Sequence, residues 1–208
     1  MRNFLNVALC VTALAACGSD DVDSDEEARR AYLCLDGSIE KSIALGFAGF
    51  NAASSANIDP QMTTGDAGGT LTITGQVDQG SSANKGMRLN VNMLDYDDGP
   101  VPYNDDGDTV HVVFDTAAES ANQPYLNLSL KNFPNGTLEG TLDSNSTATG
   151  VYLLDGDIKG ELDISLTIMG TTMAGATAGD VVRVPGATTV TGTAKNSDGG
   201  VYEINITI

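Results

Sequence analysis

Tryptophan is absent from this 208-residue chain, histidine occurs once and cysteine three times. A single histidine, His111, leaves no partner set for a Ser-His-Asp or Cys-His nucleophile or for a His-rich zinc site. The absence of Trp and the low aromatic content, 5%, argue against the aromatic-lined clefts in which paired carboxylates cleave glycosides. Basic residues are also scarce: 10 Lys and Arg stand against 28 Asp and Glu, for a formal net charge of −18. Nucleic-acid binding needs a basic footprint that releases counterions from phosphates, so it is excluded as a working class. A polybasic grip on anionic lipid is excluded for the same reason. No apolar run approaches the roughly 20 residues that span a bilayer as a helix. Neither a GxGxxG nor a P-loop pattern occurs.

What the chain has instead is Asp and Gly. Asp far outnumbers Glu and there are 24 glycines, a balance suited to turns rather than helices. From Thr70 onward apolar residues recur with period two: Leu71, Ile73 and Val77; Leu89, Val91 and Met93; Val110, Val112 and Phe114; Leu126, Leu128 and Leu130; Leu138 and Leu142; Ile158 to Ile168; Val190; and Tyr202 to Ile208. Dry-face, wet-face alternation of this kind marks an antiparallel sheet solvated on one side. Asn135-Gly136, Asp155-Gly156 and the stretch Asn196–Gly200 supply turn chemistry between these runs. The fold expected is mainly β: an antiparallel up-and-down meander, a curled sheet or barrel, with a short N-terminal helical segment. Gly75, Gly140, Gly160 and Gly192 fall at dry-face parity. Glycine inside a strand marks a bend or a close approach, so these four predict strong curling around a neighbouring element, and Gly160 a contact with the helix.

Ahead of the strands, Glu26 to Leu35 is weakly helical, and Asp36-Gly37 reads as its break. Ser38 then reads as the N-cap of a second helix in which Ile39, Ile43, Phe47 and Phe50 form one apolar face. Gly46 and Gly49 weaken that helix by about 1 kcal/mol each relative to Ala, so it needs tertiary support. Ala52 to Gly69 reads as a polar linker.

Few residues carry chemistry. Cys34 lies among apolar neighbours and reads as a buried, inert thiol. The one concentration of oxygen ligands is the loop containing Asp95, Asp97, Asp98, Asp105, Asp106 and Asp108. Calcium takes six to eight oxygens from such loops. The spacing departs from an EF-hand, with Gly99 one place early and no closing Glu, so weak calcium binding at best is expected and no other cofactor.

The remaining feature is the seam TALAACGSDDVDSDEE, residues 12 to 27, where small apolar residues give way at Cys17 to an acidic run. Arg2, a short apolar stretch from Phe4 to Ala13 and small residues before the seam have the form of a secretory signal. Leu14-Ala15-Ala16-Cys17 resembles the lipobox of bacterial lipoproteins. The resemblance covers only the first tenth of the chain. It implies cleavage before Cys17, acylation of that residue and a lipid anchor in the membrane. Gly18, where the enterobacterial pattern places Asp for inner-membrane retention, implies the outer membrane. With Cys10 removed and Cys17 acylated, Cys34 alone remains and no intrachain disulfide forms.

The expected organisation is a signal peptide over 1–16, an acidic tether over 17–27, a helical segment over 28–57 and a β-domain over 58–208. The expected function is a non-catalytic structural or interaction module at the cell envelope, with an envelope protein as partner. The alternative is a carrier of an apolar ligand, a lipid held between helix and curled sheet. An apolar cavity of roughly 300 Å³ or more distinguishes the carrier.

Overall fold

The computed structural model describes residues 21–144, 151–176 and 180–208. Cys17 and the expected signal segment 1–16 lie outside them.

Among the described residues, one α-helix, α1 (Asp25–Ala52), precedes thirteen strands. These are β1 (Asn57–Thr64), β2 (Gly68–Val77), β3 (Lys85–Asp97), β4 (Val101–Pro102), β5 (Thr109–Val110), β6 (Val112–Asp115) and β7 (Tyr125–Lys131). They continue as β8 (Thr137–Asp143), β9 (Tyr152–Gly156), β10 (Gly160–Ala174), β11 (Val181–Arg183), β12 (Thr189–Asn196) and β13 (Val201–Thr207). All pairings between named strands are antiparallel: the protein is a curled antiparallel meander with one N-terminal helix, as the alternation predicts, and not a clear barrel. Two long strands organise it. β3 pairs with β7 along Lys85–Asn90 and with β6 at Tyr96. β10 pairs with β9 at its start, with β8 along Ser165–Thr171 and with β11 at its end. Between them lie two short pairs, β7–β8 at one level and β6–β9 at the other.

The dry face is organised in rows running across the strands. Register places Ile58, Gly75, Leu89, Leu126, Leu142, Leu166, Gly192 and Ile204 side by side from β1 to β13. A glycine stands second from each edge. A Cβ on Gly75 (φ +132°) would lie 2.1 Å from the Arg88 carbonyl oxygen, and one on Gly192 (φ +151°) 2.1 Å from that of Ser165. The two outer strand pairs bend inward at these points, where only glycine combines the dihedral with the close backbone approach. A second row, Val77, Met87, Leu128, Gly140, Ile168, Val190 and Ile206, runs beside the first. Gly160 differs from expectation. A Cβ there would strike the Asp21 carboxylate rather than the helix.

The helix lies against this concave face and touches both β1 and β13, the two ends of the strand order. It is continuous, so the break expected at Asp36-Gly37 does not occur. Tyr32 donates to Asp36 (2.8 Å), Arg183 holds the same carboxylate by two bonds of 2.9 Å, and Gly37 leaves room where the Asp98 carboxylate approaches. Ser38 is buried inside the helix, its hydroxyl donating back to the Leu35 carbonyl at 2.6 Å. The cap is Ser24, which accepts from the Glu27 amide, while the Glu27 carboxylate accepts from the Asp23 amide. Ser24-Asp25-Glu26-Glu27 thus works as a variant capping box, with three acidic residues favourably placed at the positive end of the helix dipole.

Two other boundaries move. The acidic run expected to be solvated to Glu27 joins the fold from Asp21, and Val22 is 1% exposed. The expected linker contains β1, an edge strand interrupted at Pro60 by a register shift between Ile58 and Gln61. Two of the three turn signals join antiparallel neighbours, Asn135-Gly136 between β7 and β8 and Asn196–Gly200 between β12 and β13, whereas Asp155-Gly156 ends β9, paired with Val113 and Val112 of β6, and the chain turns to β10 just after it.

Gly192→Ala should lower stability by about 1–3 kcal/mol in urea unfolding, because it forces a side chain into a strained dihedral. Thr193→Ala, one residue on and exposed, should change it by less than about 0.5 kcal/mol. Equal midpoints would mean that the row tolerates a Cβ and that the bend does not depend on glycine.

Candidate functional site

The acidic loop does not close on a common centre. Asp98 accepts from Tyr96 (2.6 Å), from the Asp66 amide (3.0 Å) and from the Lys41 ammonium, which also bonds Asp66 at 2.8 Å. Asp97 accepts from the Gly99 amide (2.7 Å) and lies 2.8 Å from His111 Nε2. Asp95 takes a left-handed backbone (φ +48°), and its amide donates to Asp115. Asp105 and Asp106 are exposed on a turn, and Asp108 bonds Asn104 at 2.9 Å. Among the described residues, no three His, Cys, Asp or Glu side chains are grouped to hold a metal ion. The structure thus gives Asp97 and Asp98 separate work as latches, and the six carboxylates considered for weak calcium binding are not gathered in one place among the described residues. The reason is tertiary: Lys41 on α1 and His111 beside β6 bond adjacent carboxylates separately.

Lys41 also lies over the Tyr96 ring, 5.4 Å from its centroid. A surface hollow of about 430 Å³ beside this cluster reaches Cys34. That thiol is 3% exposed and directed at the Val110 carbonyl, and burial pushes it up to about 12, so it is protonated and unreactive at neutral pH.

A second polar cluster joins helix to sheet on the other side. Arg183 of β11 binds Asp36 bidentately and Glu40 at 2.8 Å, with its own amide donating to Glu40. Its side chain is 9% exposed. Burial opposes the charge, but the two carboxylates more than offset it and raise the guanidinium above its usual value. The Tyr32 hydroxyl is raised as well, by burial first and then by Asp36.

A cleft of about 620 Å³ opens where the sheet divides. There β3 passes from β7 to β6, and β10 from β9 to β8. Asn90, Tyr125, Asp143, Asp163 and Ser165 line it from the wet faces of their strands, with Ser144 beneath. Asp143 accepts from Ser165 at 2.7 Å, and Ser144 accepts the Ile164 amide at 2.9 Å. Burial raises the Asp163 carboxyl above the usual range, against the pull of Lys195 and Ser144. These groups offer hydrogen bonds and negative charge, suited to a small polar or cationic ligand. Among the described residues, the lining has no imidazole, thiol or cation for nucleophilic chemistry. Sequence reading assigned these positions to the solvated face, since only the split in the sheet makes them concave. No family model, curated protein or solved structure matches the chain.

Arg183→Ala should cost about 2–4 kcal/mol in urea unfolding, because it strands two partly buried carboxylates. Arg183→Ala/Asp36→Ala/Glu40→Ala should recover part of that loss. If the single and triple variants unfold at the same midpoint, the cluster holds no coupled charge. A pH effect follows from Asp97. Burial raises its carboxyl, yet the Gly99 amide and the His111 ring together leave it below the usual value. Its contribution is therefore present above the unfolded value of about 3.9 and is lost as pH falls through the folded one. The stability gap between the wild-type protein and Asp97→Asn should persist at neutral pH and close in that acidic window; a gap independent of pH would refute the assignment.

Proposed function

We propose that the protein is a lipid-anchored bacterial envelope lipoprotein, held in the outer membrane through Cys17, whose β-domain is a non-catalytic structural or interaction module. The lipobox sequence supports the anchor. The packing of α1 into the sheet supports the module over the carrier. Tyr32, Tyr96, Tyr152 and Phe114 fill the interior at 0–1% exposure. A Cβ on Gly46 would lie 2.9 Å from Met87 Sδ, and one on Gly49 2.9 Å from Ile58 Cδ1. The helix rests on the sheet without room for an acyl chain where these contacts lie. The net charge of −18 argues against nucleic acid as a partner.

Fractionation tests the anchor. Cys17→Ser should release the protein from outer membranes into the soluble fraction, since each buried CH₂ of an acyl chain contributes about 0.8 kcal/mol. Retention of the Ser variant in the membrane would overturn the reading. Mass spectrometry of the native membrane form should find acylation at Cys17 and no co-purified lipid; stoichiometric retained lipid would favour the carrier instead.

A further inference from the structure

The folded domain begins almost at the anchor. Val22 is buried and its carbonyl accepts from the Asn196 side chain at 2.9 Å. A backbone β-bridge joins Asp21 to Lys159 in the β9–β10 turn, and Asp25 accepts from the Glu203 amide on the edge strand β13 at 2.8 Å. These contacts tie residues 21–25 to one end of the domain, formed by the β9–β10 turn and the β12–β13 hairpin. Only Gly18, Ser19 and Asp20 separate Asp21 from Cys17. Four residue steps span at most about 14 Å even when fully extended.

We infer that the domain stands against the bilayer on its β9–β10 and β12–β13 end, within about 14 Å of the acylated residue and in one orientation. The inference rests on Cys17 being the anchor, and it replaces a long solvated tether with a short leash. Chain reach, not charge, sets the orientation: Lys159 and Lys195 lie at this end, but so do Asp155, Asp157 and Asp198. The helix then carries the opposite end outward. Its 28 residues rise about 42 Å. At the outer end the β2–β3 loop is fixed by Phe133, whose amide donates to Ala83 and whose ring lies 5.3 Å from that of Phe47. Ser81 lies in the β2–β3 loop at this outward end.

The test uses the acylated protein in vesicles of phosphatidylethanolamine and phosphatidylglycerol with headgroup-labelled acceptor lipid. A donor dye is placed at Ser197→Cys or at Ser81→Cys, both exposed positions; Cys34 is buried and does not compete. Energy transfer to the lipid should be strong from residue 197 and several-fold weaker from residue 81. A flexible Gly-Ser spacer of about 20 residues inserted between Asp20 and Asp21 adds a reach of about 25 Å and should bring the two signals together while vesicle binding persists. Equal transfer from both sites without the spacer overturns the fixed orientation while leaving the anchor intact. Vesicle binding that survives Cys17→Ser overturns the anchor itself.

Discussion

The structure depends on the seating of one helix in a curled sheet. The sheet needs an apolar surface to cover its concave rows, and the helix needs the sheet because its own propensity is poor. Glycines at 37, 46 and 49 each cost a helix about 1 kcal/mol relative to Ala. The same glycines let the backbone approach the Asp98 carboxylate, Met87 and Ile58. A local penalty is thus offset by apolar contact, at roughly 25 cal/mol per Å² buried. Since α1 touches both β1 and β13, removing it would expose the two free edges as well as the rows between them.

The curvature and the helix are matched through glycine placed second from each edge. Gly75 and Gly192 let the outer strand pairs turn toward the helix, while the central leucines Leu89, Leu126, Leu142 and Leu166 keep full side chains under it. Polar groups then pin the register of helix on sheet. Arg183 seizes Asp36 and Glu40 on one side, and Lys41 seizes Asp98 and Asp66 on the other. Apolar packing alone would permit sliding, whereas a bidentate guanidinium–carboxylate pair is directional. The acidic loop that invites a metal reading is consumed by this pinning.

Contacts at Val22 and Asp25 tie this segment to one end of the domain, so the anchor proposed at Cys17 would have little freedom to swing it. The open cleft with Asp143 and Asp163 lies on the convex side, apart from the helix–sheet core. A polar groove there can change without disturbing the packing that holds the fold.

The strands, their faces and the hairpins were legible in the sequence, because a period of two is set by backbone geometry and requires no knowledge of partners. So was the burial of Cys34 among apolar neighbours. β1 was not, since it buries only Ile58 and its register shifts between Ile58 and Gln61, which breaks the alternation. The helix start was present in Ser24-Asp25-Glu26-Glu27 but masked by the acidic run around it. Asp36-Gly37 carried a genuine local break signal, and only tertiary structure overrode it, through an arginine 147 residues away. The same holds for the carboxylates of Asp97 and Asp98: their type and spacing are written locally, but whether they gather on an ion or separate toward His111 and Lys41 is decided by which side chains the fold delivers. The chain by itself determined the period, the turns and the charge. The alignment of the rows, the split that forms the cleft and the docking of Val22 arise only when strands far apart in sequence come into register.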